Sequence, residues 1–399
     1  MTGQLAPIPS LLARDPGCPF DPPAEFAALR AEHPIIRWTF PDGHDGWLVT
    51  SHELARAVLA DNRLSRRAEL MHSPLNNATQ GQMPPPAEPG MFISMDPPEH
   101  ARYRHQLIGQ FTVRRMRLLT ERVTEITSGC LDAMAEHGPG VDLVPAFALP
   151  VPAEVISELL GVSDVDLTGF QATVAKLLRA DLAPGEAYAV FAELTAFMAE
   201  LTTRKRAHLG DDLLSDVIAA GDLTDTEITN IALLLLTAGF ETTANMLALG
   251  TFALLRNPDQ LTALRSGAVL TDKAVEELLR YLSIIPALVR TALVDVQIGG
   301  EHVKAGEAIA IDVPVVNRDP AHFADPDTLD LARSAAGHLS FGYGVHQCLG
   351  QQLARVEMQV ALPALVQRFP DLRLAVAPED VRLRGDMAIY GVHALPVAW

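Results

Sequence analysis

The residues best equipped for chemistry lie in one run, Phe341-Gly342-Tyr343-Gly344-Val345-His346-Gln347-Cys348-Leu349-Gly350, which leads into the helical pattern QQLARVEMQVALPALVQRF. Cys348 thus stands at a helix N-terminus, where unpaired backbone N–H groups and the helix dipole favour a thiolate over a thiol. Gly342 and Gly344 permit tight turns and could offer N–H groups to the sulfur. Phe341 can shield it from water, and Gly350 leaves room for a flat group against the helix. Such a thiolate can act as a metal ligand or as a nucleophile. The nucleophile reading needs a histidine brought to it across the fold, and a dinucleotide-binding loop would need another glycine where Gln347 stands.

A second run, Ala238-Gly239-Phe240-Glu241-Thr242-Thr243, sits inside the apolar stretch from Thr224 to Leu255. Glycine and paired threonines are poor choices for a buried helix interior. A threonine hydroxyl bonded to the carbonyl four residues back, with glycine nearby, is expected to loosen the ladder and open a groove able to seat dioxygen and a water. Glu241 and Thr242 form an acid–alcohol pair that can pass protons to it.

Phe341, Gly342, Gly344, His346, Cys348 and Gly350 all stand where the haem-binding loop of the cytochromes P-450 has them. The chain resembles actinomycete members of that family over nearly its full length, including AGFETTANMLALGTFALLRNPDQL and the ending YGVHALPVAW. The resemblance implies a mainly α fold with small sheets, one domain over residues 1–399, and haem b (iron protoporphyrin IX) with Cys348 as the axial iron ligand. It implies O2 as co-substrate and monooxygenation, by hydroxylation or epoxidation, of an apolar natural product or xenobiotic. Thiolate ligation suits this use because it donates electron density that favours O–O cleavage.

Site residues follow from the same resemblance. Glu241 and Thr242 become the proton relay and Ala238 a residue beside the haem. His100 and Arg104, in MDPPEHARYR, join Arg290 and His338 as donors to the two propionates, which an apolar pocket must neutralise. Glu277 and Arg280, spaced i, i+3, can pair, with Arg333 as third member of a structural network. Phe92, Leu234, Ala287, Leu288 and Ile389 are expected to line the substrate pocket. Two other readings remain: a haem-thiolate peroxygenase using H2O2, which should lack the Glu241–Thr242 pair, and a non-catalytic haem protein, either a sensor, which would not need that pair, or a helper, which tends to have lost the cysteine loop that is intact here.

With a net charge of −18 the chain should repel nucleic acid and anionic membranes. Against that background Arg102, Arg104, Arg114, Arg115, Arg117 and Arg122 face one local acid, Glu121, with His105 adding a switchable charge. Arg102, Arg114, Arg115 and Arg117 form the expected docking surface for an acidic ferredoxin, fed by its reductase, since no bound flavin or NAD(P) module is visible. The N-terminus lacks the pattern of a signal peptide, and the apolar run Ile231 to Leu236 is too short to span a bilayer, so a cytoplasmic monomer without a membrane anchor is expected. Cys18, Cys130 and Cys348 are too far apart in sequence to suggest a disulfide framework or zinc cluster.

These residues must be positioned by helices with small sheets. Trp38 to Thr50 reads as two strands about a Pro-Asp-Gly turn, followed by the helix HELARAVLA. Residues 73–90 read as a long loop of the kind that forms lids. Helical spacing recurs at Glu99–Leu131, Val155–Leu160, Leu167–Leu178, Pro184–Leu209, Leu213–Ala220, Thr224–Leu255 and Thr271–Leu282, with a capping box at Thr224 and Glu227. A β-rich patch, VDVQIGGEHVKAGEAIAIDV, follows. One helix and a terminal strand region come after Cys348.

Overall fold

A computed structural model describes residues 9–75, 83–162, 173, 184–385 and 387–399. Its helices are α1 (Glu25–Glu32), α2 (His52–Ala60), α3 (Glu99–Ile108), α4 (Val113–His137), α5 (Pro150–Leu160), α6 (Pro184–Ala207), α7 (Leu213–Ala220), α8 (Asp225–Arg256), α9 (Pro258–Ser266), α10 (Thr271–Leu282), α11 (Val313–Val316) and α12 (Gln351–Arg368). The strands are β1 (Ile35–Thr39), β2 (Asp45–Val49), β3 (Leu64–Ser65), β4 (Val141–Asp142), β5 (Ala287–Ala292), β6 (Val296–Ile298), β7 (Glu301–Val303), β8 (Ala308–Asp312), β9 (Arg373–Leu374) and β10 (Pro396–Ala398).

Local chemistry explains most of the boundaries. At α8 the Thr224 hydroxyl accepts from Glu227 N (3.3 Å) while Glu227 Oε2 accepts from Thr224 N (2.7 Å), the reciprocal cap expected from sequence. The stretch read as one helix from Glu99 to Leu131 is instead two. A 3-10 turn at Gly109–Phe111 ends α3, and Thr112 caps α4 by accepting from Arg115 N. Helix α5 begins at Pro150, five residues before the apolar spacing announces it, because proline at the first helical position is preset for the turn. Most of the expected helix Leu167–Leu178 lies outside the described residues, as does part of the long loop, residues 76–82.

The largest sheet runs β1-β2-β8-β5-β3, with β2 and β8 parallel and the other neighbours antiparallel. Strand β5 did not stand out in the sequence, since ALVRTA lacks alternation; its last four residues are buried on both faces. A three-stranded sheet, β4-β10-β9, and the hairpin β6-β7 complete the β structure.

Helix α8 runs through the main hydrophobic cluster, packed by α5, α6 and α12. As a whole it is long and apolar enough to cross a membrane, which the short run Ile231–Leu236 did not suggest, but most of it is buried in the core. Smaller clusters lie under α2 and on the other face of the large sheet.

Candidate active site

The loop before α12 is wound by two glycines in the left-handed region, Gly342 (φ +68) and Gly344 (φ +74). A Cβ at Gly344 would stand 2.3 Å from the Leu59 carbonyl oxygen, so the loop can lie on the end of α2 only without a side chain there. Cys348 N donates to Phe341 O at 2.9 Å, closing the loop under the sulfur. Cys348 is exposed, yet burial is the largest influence on its thiol and pushes it up. The side chain therefore opens onto an internal space and not onto the outer surface. The amide of Gly350, then Arg104, Arg355 and the amide of Gln351, favour the thiolate. The N–H donors to sulfur are thus Gly350 and Gln351; the expected donor Gly342 gives its N–H to Leu339 O at 2.8 Å. A Cβ at Gly350 would meet nothing within 4 Å.

Beside the loop three guanidiniums converge. Arg104 Nη2 donates to Gln347 O at 2.6 Å, and Arg66 and Arg290 are close enough to depress one another or their neighbours. Arg290 is buried, its Nη1 bonds only to the carbonyl of Val289, and burial with Arg66 lowers it to about 9. The His100 and His346 rings lie 4.3 Å apart. Burial, then Arg104 ahead of Arg290, brings His100 down to about 4; burial, then Arg290 and His100, brings His346 to about 2. His100 Nδ1 is buried without a partner.

Asp96 is the carboxylate that opposes these charges among the described residues, and it already accepts from Ser65 Oγ (2.6 Å) and Arg66 N (2.8 Å). Three cations face this one carboxylate and, at Arg104, the Cys348 sulfur, which leaves a deficit of negative charge in a poorly solvated place, the condition under which propionates would bind. An accessible sulfur on oriented amides, a side-chain-free Gly350 and this charge deficit fit a haem. Cys348 would ligate its iron, and Arg66, His100, Arg104, Arg290 and His346 would hold its acidic edge. Arg66 was missed in the sequence because no motif surrounds it.

His338 stands apart from this cluster. Its Nε2 lies 3.2 Å from Glu276 Oε2 and its Nδ1 accepts from Ser340 N at 3.2 Å, so neither ring nitrogen is left for a propionate. Glu276 also binds Arg355 (Nε–Oε1 2.5 Å, Nη2–Oε2 3.0 Å). Burial would raise its carboxyl, but His338 and Arg355 hold it at about 2. Arg355 in turn lies over the Phe341 ring, 4.6 Å from its centroid. Behind them Glu277 and Arg280, both fully buried, pair at 2.7 Å, and Arg333 Nε reaches Glu277 Oε1 at 3.1 Å. Arg280 Nη1 donates to Asn317 O (3.0 Å); Asn317 receives Leu339 N (2.7 Å) and donates to Ser340 Oγ (2.9 Å), so the network braces the strand of chain entering Phe341.

On α8, Ala238 is the one exposed residue between Glu227 and Leu255, so it too faces an internal space. Thr242 Oγ1 donates to Ala238 O at 2.9 Å, but the helix runs unbroken through this turn and does not show the expected loosening. Glu241 is gripped by a residue the sequence did not mark: Arg384 Nη2 donates to its Oε1 at 2.7 Å.

The expected pocket residues are dispersed over the three clusters. Leu234 and Ile389 are half-buried on the main core, Leu288 on the second and Ala287 on the third. Phe92 is buried with its ring 6.0 Å from that of His100, on the cationic side. The arginine island is largely spoken for. Arg102 pairs with Glu227 (2.5 Å), Arg115 with Asp216 (2.8 Å), and Arg122 with Glu125 and Glu158. The side chains of Arg114 and Arg117 lie outside the described residues, and His105 is exposed.

A helix-rich fold carrying a cysteine loop with its sulfur on an internal space, beside a cationic pocket of this charge, defines a haem-thiolate protein. A family model described as cytochrome P-450 matches residues 185–381. Cytochrome P-450 105C1 of a Streptomyces species is 48% identical over 95% of this chain and 96% of its own length. Pentalenic acid synthase of Streptomyces avermitilis is 42% identical over 100% and 99%. The crystal structure of GfsF superimposes with a TM-score of 0.91 at 41% identity, covering 97% of this chain and 98% of that one. The chain belongs to the cytochrome P-450 family, and as an enzyme it is a monooxygenase of that family.

Proposed function

We propose that this monooxygenase inserts one atom of O2 into an apolar small molecule, a natural product or xenobiotic, by hydroxylation or epoxidation, with electrons from a ferredoxin and its reductase. The observation that carries the reading is the sulfur of Cys348, desolvated by protein yet supported by two amides and two guanidiniums, on a chain that also keeps the Glu241–Thr242 pair. The haem supplies dioxygen binding and activation. Cys348 would hold its iron as a thiolate ligand, and Phe341, covered by Arg355, would shield the sulfur from water. Thr242 spends its hydroxyl proton on Ala238 O, so its oxygen lone pairs remain to orient a water, and Glu241 takes protons from the solvent side and passes them on.

The half-buried or small apolar side chains Leu234, Ala238, Ala287, Leu288 and Ile389 favour an apolar substrate. For the electron donor, docking falls to the face where α3 meets the cysteine loop. Arg104 joins those two elements through Gln347 O, Ile108 and Val345 are exposed on them, and Arg114 and Arg117 lie near the start of the adjoining α4.

Carbon monoxide difference spectra test the ligation: the reduced protein should show the red-shifted Soret band of thiolate binding, and Cys348→Ser should abolish it. Turnover driven by ferredoxin but not by peroxide separates this reading from a peroxygenase. Thr242→Ala should keep electron consumption while releasing peroxide in place of product; full coupling in that variant contradicts the relay.

A further inference from the structure

Arg384 reaches the central helix from a part of the chain without any motif. Arg384 N donates to Gly391 O (2.9 Å), His393 N donates to Arg382 O (2.7 Å), and Leu383 is bridged to Val392, so the two flanks pair as a narrow hairpin. This hairpin presses on α8. A Cβ at Gly391 would stand 1.9 Å from Asn245 Oδ1, so glycine is what permits the approach. Asn245 Nδ2 donates to the carbonyl of Glu241 at 2.9 Å, which leaves its oxygen facing the hairpin, where it accepts from Arg384 Nη1 at 3.2 Å. The second terminal nitrogen of Arg384 donates to Glu241 Oε1 at 2.7 Å.

The charges at this junction are unequal in their access to water. Arg384 is 7% exposed, its Nε has no partner, and Glu241 is its ion-pair partner. The Glu241 side chain is 25% exposed. A guanidinium this buried depends on its carboxylate, whereas the carboxylate can still reach water. The acid is thus turned toward the hairpin, and Asn245 fixes the angle from which the guanidinium approaches.

We propose that Arg384 is the positioning residue for Glu241: it parks the carboxylate on the hairpin side, and each proton carried by Glu241 requires this ion pair to open and re-form. The inference rests on the reading of Glu241 as the relay acid. The proton taken up at a carboxylate oxygen cancels the charge that holds Arg384, so uptake loosens the pair, and delivery toward Thr242 restores it. No covalent bond of Arg384 is made or broken.

The test uses the haem-loaded enzyme with its electron donors and four variants: Arg384→Gln, Arg384→Lys, Glu241→Gln and the double Gln variant. Three readouts are taken: thermal stability, the solvent deuterium isotope effect on turnover, and the ratio of peroxide to product. Glu241→Gln and Arg384→Gln are each expected to raise that ratio about tenfold, less than the roughly hundredfold or more that a general acid contributes, because water can still deliver part of the protons. The double variant should be no worse than Glu241→Gln alone, and Arg384→Lys should recover most of the loss. The stability cycle should show the two residues coupled, a readout independent of turnover. Additive effects on coupling, or an Arg384→Gln variant that changes melting alone, overturn the inference while leaving the relay intact. An inert Glu241→Gln overturns the relay reading and this inference with it. If Arg384→Gln does not fold, Arg384→Lys carries the test: wild-type isotope effect and coupling support positioning by charge, and values matching Glu241→Gln refute it.

Discussion

Replacing Glu277 by Gln probes the brace behind the cysteine loop, because the substitution keeps side-chain volume and removes only charge. Glu277 accepts from Arg280 at 2.7 and 2.8 Å, from Arg333 at 3.1 Å and from Asp330 N at 3.0 Å, with no exposure of its own. Gln would leave the fully buried Arg280 without a counter-charge, which costs about 3–5 kcal/mol. An unfolding entropy of roughly 2.1 cal/mol/K per residue gives roughly 0.8 kcal/mol/K for this chain, so melting should fall by about 4 to 6 °C. Because Arg280 holds Asn317, and Asn317 holds Leu339 and Ser340, the same variant should lose part of its thiolate-type Soret band on reduction with carbon monoxide. Calorimetry and that spectrum are the assays. Pairing Glu277→Leu with Arg280→Met should recover part of the stability, since the fully buried charge is then gone and the partly exposed Arg333 keeps its bonds to the Asp325 and Thr328 carbonyls. A Glu277→Gln protein melting within about 1 °C of wild type would refute the reasoning, as the pair would then contribute far less than burial demands.

Three further outcomes are expected. Glu357, 2% exposed and with Oε2 unpartnered, is raised by burial to about 8, so wild-type stability should decline as pH rises from the unfolded carboxyl range through about 8. Glu357→Gln should remove that decline and be more stable by up to about 4 kcal/mol at pH 8 but not near pH 4.5, as denaturant titrations at the two pH values will report. Gly344→Ala, forced to a positive φ and against the Leu59 carbonyl, should cost about 1–3 kcal/mol and lower haem content, read by the absorbance ratio of the Soret band to protein. Arg290→Met should make the apoprotein more stable, since an unbalanced buried cation costs a few kcal/mol, yet speed haem loss to an acceptor protein by about tenfold or more.

Much of the chemistry was legible in order along the chain because its determinants are local. The cysteine loop needs glycines at fixed offsets and a helix directly after the sulfur, and both are sequential facts. The same holds for the Thr224–Glu227 cap and for the i, i+3 spacing of Glu277 and Arg280. What tertiary structure alone decided was which charges meet. Six arginines read as a basic island, but Asp216, Glu158 and Glu227 arrive from α7, α5 and α8 to neutralise three of them. His338 was drawn to Glu276, Arg66 joined the propionate side, and Arg384 crossed 143 positions of chain to hold Glu241. A buried charge takes whatever counter-charge the packing brings within reach, and packing is not a property of neighbouring positions in the sequence.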